Sequence, residues 1–330
     1  MRDSAGLSPD FAARRREHTS PVPVPPAGPH GGDAVRLARA LGVDPAEVLD
    51  LSASLNPAAP PVAPVLARHL DAATRYPDPD EATAALASAL GVATERVLLT
   101  NGGSEAIALL AAEQPEGHVE DPDFSLYRRH LAVVAPGAPR WRSNPHSPSG
   151  ALAPPDEEAA VWDESFYGLA TGRWTRGDDG TTVVGSLTKV LACPGLRVGY
   201  VLAPDAGLVA RLAARQPRWA VNGLACAALP ELLAALDLPR SADRAAALRN
   251  DLVALLAARG WCVEARDAPW VLVRDAGHLR EVLAGAGVLV RDCTSFGLPG
   301  TARIAVPDEA GLERLGASLA AVQRKTRPNG

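Results

Sequence analysis

Lysine is nearly absent from this chain. Of thirty-three basic residues only Lys189 and Lys325 are lysines, and Lys325 lies in a polar end stretch, QRKTRPNG. Arginine carries the rest of the positive charge, and a guanidinium that stays protonated cannot act as a nucleophile. An amine can lose its proton when desolvated or placed near another cation, and it then attacks carbonyl carbon. Lys189 is therefore either a chemical residue or a surface lysine spared by a compositional bias, and its neighbourhood decides. Other scarcities exclude whole classes. Aromatic residues are 4% of a chain that is 47% apolar, so Ala, Leu and Val must build the core. The four cysteines, Cys193, Cys226, Cys262 and Cys293, form no CxxC pair. They read as reduced, mostly buried thiols of a cytoplasmic protein, with no metal site. No apolar run approaches the ~18 residues of a membrane span. The first twenty residues carry charges but no apolar core, so they do not read as a signal peptide. A net charge of −5 offers nothing to nucleic acid or to an anionic membrane.

Around Lys189 the composition is informative. The run VVG ends in SLTK at 186–189, and Arg197 follows eight residues after the lysine. Twenty-six residues before it, VWDE closes an apolar run on Asp163 and Glu164. Earlier, VLLT at 97–100 passes into NGGS at 101–104 and a helical pattern, EAIALLAA. Each is a strand end bearing polar groups, where open α/β sheets place ligand sites. Gly103 and Ser104 at a helix N-terminus, with Ser186 and Arg197, make a phosphate cradle. Free N–H groups and the positive helix end favour a dianion, glycine lets it approach, and arginine adds charge-assisted bonds. Glu105 would repel a phosphate if it pointed inward, so it is expected to turn away.

The length of 330 residues allows one large α/β domain and a smaller one. Residues 1–29 read as a flexible Pro-rich arm and 321–330 as a polar tail. Segments 30–50 and 220–320 are assigned to the small domain and 51–219 to the large one. Helices are expected at 33–41, stopped by Gly42, at 83–90, stopped by Gly91, and at 205–215, 223–236 and 241–259. Strands at 96–100, 117–120, 159–163 and 181–186 alternate with helical stretches, which predicts a largely parallel sheet. A β-β-α-β-β order from 261 to 306 predicts a compact α+β unit. There is no internal repeat.

These motifs, with HGG at 30–32, LDLSASLNP at 49–57, RYPD at 75–78 and PRWAVN at 217–222, resemble the fold-type I, pyridoxal-phosphate (PLP) class I/II aminotransferase superfamily. The resemblance runs from about His30 to Val306. It is strongest toward the branch of threonine-phosphate decarboxylases and histidinol-phosphate aminotransferases. It implies a mostly parallel, seven-stranded-type sheet with helices on both faces, a small α+β domain, and PLP as cofactor. It also implies roles. Lys189 would hold PLP as a Schiff base and move protons, and Asp163 would pair with the pyridine nitrogen. Phe124 would stack on the ring. Tyr76 would reach the phosphate of the partner subunit's cofactor, which implies a homodimer. Arg303 would clamp the substrate α-carboxylate, Arg291 and His30 would lie about a substrate phosphate, and Asn56 and Asn222 would face substrate or cofactor.

The chain also departs from the family pattern. Ser147, in NPHSPSG at 144–150, stands where an asparagine usually bonds the ring oxygen, and its hydroxyl is shorter. Phe166 stands where aminotransferases usually place a tyrosine, a change the decarboxylase branch tolerates. Tyr167 is one residue out of register. Segments 111–116 and 151–158 are too short for the helices usual there. The expectation is an enzyme acting on a phosphorylated amino acid or amine. The first candidate is L-threonine-O-3-phosphate decarboxylase, giving (R)-1-amino-2-propanol phosphate for cobalamin biosynthesis. The alternative is a histidinol-phosphate-type aminotransferase using 2-oxoglutarate and glutamate. A third class is a non-catalytic PLP-binding protein, although the segment before His30 is too short and Pro-rich for a helix-turn-helix.

Overall fold

The computed structural model describes residues 24–177 and 180–326, which fall into two compact units. One comprises Leu55–Ala246 with Arg266–Pro269. The other comprises the chain up to Ser54, Ala247–Ala265 and the chain from Trp270 onward.

In the first unit, five strands lie in the order Val97–Thr100, Gly199–Leu202, Thr182–Ser186, Val161–Asp163, Trp141–Ser143. Only Gly199–Leu202 runs antiparallel to its neighbours. A single parallel bridge, His118 to Arg140, continues this row to a two-stranded pair, Glu116–Gly117 and Val133–Val134. The seven-stranded row is thus five well-paired strands plus two short ones. The predicted strand at 117–120 is only Glu116–Gly117.

Strand alternation sorts side chains into two cores. Val97, Leu99, Trp162, Val183, Tyr200 and Leu202 pack with Leu86 and Leu90 of helix Asp80–Leu90 and with Leu229 and Leu232 of helix Gly223–Ala234. Val161, Val184 and Val201 pack on the other side with Ile107 and Leu110 of helix Gly102–Glu113 and with Leu208 and Leu212 of helix Ala206–Arg215. Leu, Val and Ala fill most of both cores, but the largest fully buried side chains include Trp141, Trp162 and Tyr127. The few aromatics are therefore concentrated inside. Three of the four cysteines are buried thiols and Cys262 is exposed.

The division of the chain differs from the expectation of 51–219 against 220–320. Helix Gly223–Ala234 buries Ala225, Cys226, Ala228, Leu229, Leu232 and Leu233 in the core of the first unit, so the boundary lies at Ala246. Helix Leu238–Ala257 begins in the first unit and ends in the second.

The second unit has strands in the order Leu49–Leu51, Val288–Asp292, Ala302–Ala305, Trp270–Val273, Val263–Ala265, antiparallel except for the first pair. Its core joins Val271, Val273, Val288, Val290 and Ile304 to Leu248, Leu252, Leu256, Leu315 and Leu319. Helix Ala34–Leu41 stops at Gly42, whose φ of 67° is left-handed, as predicted. The described end of the N-terminal arm is anchored here. The guanidinium of Arg280 donates to the Pro25 carbonyl and that of Arg291 to the Pro29 carbonyl. The rest of the arm, 1–23, lies outside the described residues, as do 327–330. Residues 321–326 are not a loose tail, because helix Glu309–Thr326 runs through them.

Candidate active site

The loop between Val97–Thr100 and helix Gly102–Glu113 is shaped by close backbone contact. Gly102 has φ +75°, and a Cβ there would lie 2.4 Å from an Arg197 guanidinium nitrogen. A Cβ on Gly199 would lie 2.5 Å from the Gly103 amide nitrogen, so strand and helix start approach as only glycine permits. Ser186 and Ser165 flank Gly103, with Ser186 Cβ 3.6 Å and Ser165 Oγ 3.7 Å from the position a Cβ would take there. Ser104 is exposed on the same turn. Glu105 accepts from the Asn101 amide at 2.6 Å and from Gln216 Nε2 at 3.0 Å, so its carboxylate is already occupied. Ser186 Oγ shares a 2.7 Å hydrogen bond with Thr188 Oγ1.

Asp163 ends strand Val161–Asp163 and is 7% exposed. Its Oδ1 accepts from the Ser165 amide at 3.0 Å, and its Oδ2 accepts from the Tyr127 hydroxyl at 2.9 Å. Burial holds this carboxyl above its usual range, opposed by the Ser165 and Tyr127 hydrogen bonds and by the charge of Lys189. A cation beside it would restore full ionisation. Glu164 is also buried and accepts from the Arg176 amide at 3.2 Å, so it does not face solvent.

Lys189 sits on the one-turn helix Leu187–Val190 after strand Thr182–Ser186, half-buried, with Nζ 5.6 Å from the centroid of the Phe166 ring. Asn56 ties this turn down through the main chain. Its amide donates to the Lys189 carbonyl at 3.0 Å and its Nδ2 to the Val190 carbonyl at 2.8 Å. Asn222 caps helix Gly223–Ala234 through Ala225 N and donates Nδ2 to the Leu196 carbonyl, adjoining Arg197. Both asparagine side chains are thus engaged by backbone that carries Lys189 and Arg197.

Phe124 lies edge-on to Tyr127, with ring centroids 5.7 Å apart. Ser147 is 9% exposed and its amide donates to Ser143 Oγ at 2.7 Å. Tyr76 is 77% exposed and stacks on the equally unusual surface residue Trp219, centroids 4.3 Å apart. Tyr127, Ser165, Ser143 and Asp123 were not singled out from sequence. The only local signal was the three-residue spacing of Phe124 and Tyr127, although the helix Leu126–His130 begins after Phe124.

In the second unit, Arg291 and Arg303 face each other in register on antiparallel strands. Arg303 lies over the rings of Trp270, at 4.8 Å, and Phe296, at 5.6 Å, and Arg291 over Phe296 at 4.2 Å. Both are buried, and among the described residues neither has a carboxylate partner. Burial and the neighbouring Arg291 push the Arg303 guanidinium down to about 9, and burial pushes Arg291 down to about 10. His30 belongs to a loop whose Gly32 amide donates to Ser52 Oγ at 2.9 Å.

Residues 141–319 match the family profile Aminotransferase class I and II. The histidinol-phosphate aminotransferase of Halorubrum lacusprofundi is 30% identical to this chain over 88% of it and 93% of that protein. The chain belongs to the class I and II aminotransferase family. The threonine-phosphate decarboxylase of Salmonella typhimurium is also 30% identical, over 60% of this chain and 68% of that protein. The crystal structure of histidinol-phosphate aminotransferase from Sinorhizobium meliloti, in complex with pyridoxal-5'-phosphate, superposes with a TM-score of 0.77 at 18% identity, covering 92% and 96% of the two chains. The chain thus has the PLP fold type I architecture, and it is a PLP-dependent enzyme.

The residues present in this aminotransferase-family chain fit that cofactor. A glycine-lined helix start capped by a guanidinium suits a phosphate dianion. A buried carboxylate suits a protonated ring nitrogen, and a half-buried amine within its electrostatic reach suits a carbonyl. Arg197→Ala should weaken PLP binding by roughly tenfold, the low end for a charge-assisted hydrogen bond. Titration of the ligand-free protein with PLP measures this, and excess PLP should restore activity. If saturating cofactor restores nothing, Arg197 does not belong to the cradle.

Proposed function

We propose that this enzyme is a lyase that decarboxylates L-threonine O-3-phosphate to (R)-1-amino-2-propanol phosphate, a precursor for cobalamin. The observation that carries this reading is the pair Arg291 and Arg303. Two like charges buried side by side without a carboxylate are costly until anions neutralise them. Threonine phosphate brings a carboxylate and a phosphate on one small skeleton. In this reading Arg303 holds the carboxylate, while Arg291 and His30 hold the phosphate.

PLP, when bound, supplies an electron sink for the Cα bond that breaks. Gly103, Ser104, Ser186 and Arg197 would hold its phosphate, Phe124 would cover its ring, and Ser147 would offer a hydroxyl to the ring oxygen. Asp163 would keep the ring nitrogen protonated. Lys189 Nζ would anchor the cofactor through its carbonyl and would move protons at the substrate Cα. The Cα–carboxylate bond breaks, carbon dioxide leaves, and a proton takes its place on Cα. The protein selects this bond by where it anchors the carboxylate, which is binding energy spent on orientation. Phe166 places an apolar ring beside Lys189 Nζ, the variant that the decarboxylase branch tolerates.

The exposed Tyr76–Trp219 stack supports a homodimer in which Tyr76 reaches the partner's cofactor phosphate. Among the described residues no helix is long and apolar enough to cross a membrane, and a cytoplasmic site of action is part of the proposal.

Transamination of histidinol phosphate is the second reading, favoured by the relatives of that name that match most of the chain. One pair of assays separates the two. Purified protein with PLP is given threonine phosphate, and separately histidinol phosphate with 2-oxoglutarate. Carbon dioxide release in the first is the expected result. Glutamate formation in the second, with no carbon dioxide in the first, overturns the decarboxylase.

A further inference from the structure

Asp163 is linked to a second, half-buried carboxylate, Asp123, and the link is made by side chains to which the cofactor assignment gives no role. Tyr127 is 1% exposed and its hydroxyl donates a hydrogen bond to Asp163 Oδ2. Ser143 pairs in register with Asp163 on the neighbouring parallel strand. Its hydroxyl donates to Asp123 Oδ1, and its amide donates to Asp123 Oδ2 at 3.1 Å. The same hydroxyl oxygen accepts the Ser147 amide at 2.7 Å. The protons are therefore assigned along the row. Asp123 accepts the hydrogen bond of the Ser143 hydroxyl, which leaves the Ser143 oxygen to accept from Ser147, while Tyr127 donates to Asp163. Burial and the two carboxylates hold the Tyr127 phenol well above its usual range, so it remains a donor.

We propose that Tyr127 is a positioning residue for Asp163, backed by Ser143 and Asp123, and that this row keeps Asp163 oriented as an ionised partner for the cofactor's ring nitrogen. The physical reason is that a carboxylate in a low-dielectric interior keeps its charge only if donors bond that charged form. Ser165 comes from the same turn as Asp163 and moves with it. Tyr127 comes from the separate helix Leu126–His130 and so also fixes the plane of the carboxylate. Asp123 serves a second end of the cofactor as well, because the Ser143 hydroxyl it orients also holds the Ser147 amide. His146 closes the same loop, with Nε2 2.7 Å from the Pro122 carbonyl and Nδ1 2.8 Å from Ser149 Oγ.

The inference rests on the assignment of Asp163 to the ring nitrogen, and the test separates the two. The ligand-free protein and its variants are titrated with PLP and with 1-deaza-PLP, in which C–H replaces the ring nitrogen. Asp163→Asn should lose affinity for PLP and little for the analogue. Tyr127→Phe should follow the same pattern with roughly tenfold loss on PLP, the scale of one hydrogen bond to a charged group. Asp123→Asn, which keeps the shape, should show a smaller loss of the same selectivity. Equal losses on both cofactors in Tyr127→Phe would reduce Tyr127 to a packing residue and overturn the proposal. Should that variant not fold, Asp123→Asn decides by the same comparison. If Asp163→Asn itself shows no selectivity for PLP, the ring-nitrogen assignment falls and this inference with it.

Discussion

Lys189→Ala should leave a folded protein with no turnover and no cofactor trapped by borohydride. The side chain is the only part of the residue removed. The turn that carries it is held by main-chain bonds, Asn56 N to the Lys189 carbonyl and Asn56 Nδ2 to the Val190 carbonyl, and these persist in the variant. The half-buried Nζ has Asp163 within electrostatic reach and Phe166 beside it. Lys189→Arg should fail as completely, because a guanidinium does not form a covalent link to a carbonyl. Mass spectrometry of the borohydride-reduced protein gives the attachment site. Cofactor found on Lys325, or full activity in Lys189→Ala, would remove the basis for the whole site.

The second large effect concerns the paired arginines, and it has opposite signs in two measurements. Arg303→Met should lower kcat/KM on threonine phosphate and on threonine by a similar factor, roughly 10- to 150-fold for the 1.5–3 kcal/mol of a charged hydrogen bond. Arg291→Met and His30→Ala should instead hurt threonine phosphate far more than threonine. Remote phosphate binding orients the reacting bond, so kcat should fall along with apparent affinity. In a transaminase the Arg303 change would cripple the 2-oxoglutarate half-reaction instead. The ligand-free protein should respond in the other direction. Arg303 is buried beside another cation with no carboxylate partner among the described residues, and replacing it with an apolar side chain of similar length removes that burden. Thermal unfolding should shift upward by roughly 2–4 °C per kcal/mol recovered. A lower midpoint in Arg303→Met would show that its stacking on Trp270 and Phe296 outweighs the charge. Equal losses on both amino acids for Arg291→Met and His30→Ala would remove the case for a phosphate-reading pocket.

Much of the architecture was legible because local rules and tertiary demands agree. Gly42 and Gly91 end their helices in the left-handed conformation, and Asp205 caps the helix Ala206–Arg215. The β-β-α-β-β order of the second unit is as read, and residues 151–158 form no helix. The errors have physical causes. Helix Gly223–Ala234 has apolar residues on most sides, so its pattern could not say which core would bury it. Strand Glu116–Gly117 is too short to show a period. The polar sequence of 321–326 looked like a tail, yet it completes a helix whose buried Leu315 and Leu319 lie upstream.

The sequence by itself determined which residues are the candidates for the site. One lysine in an arginine-rich body, an acid closing a strand, a Gly-Gly-Ser turn entering a helix and an arginine eight residues past the lysine are local patterns. Each depends only on residue type and short spacing. What the tertiary structure alone decided is how these groups are held. Tyr127 meets Asp163 across thirty-six residues, Ser143 meets Asp123 across twenty, and Arg291 meets Arg303 only through strand register. The charge state of each depends on burial and on donors brought from other elements, and no local spacing encodes these.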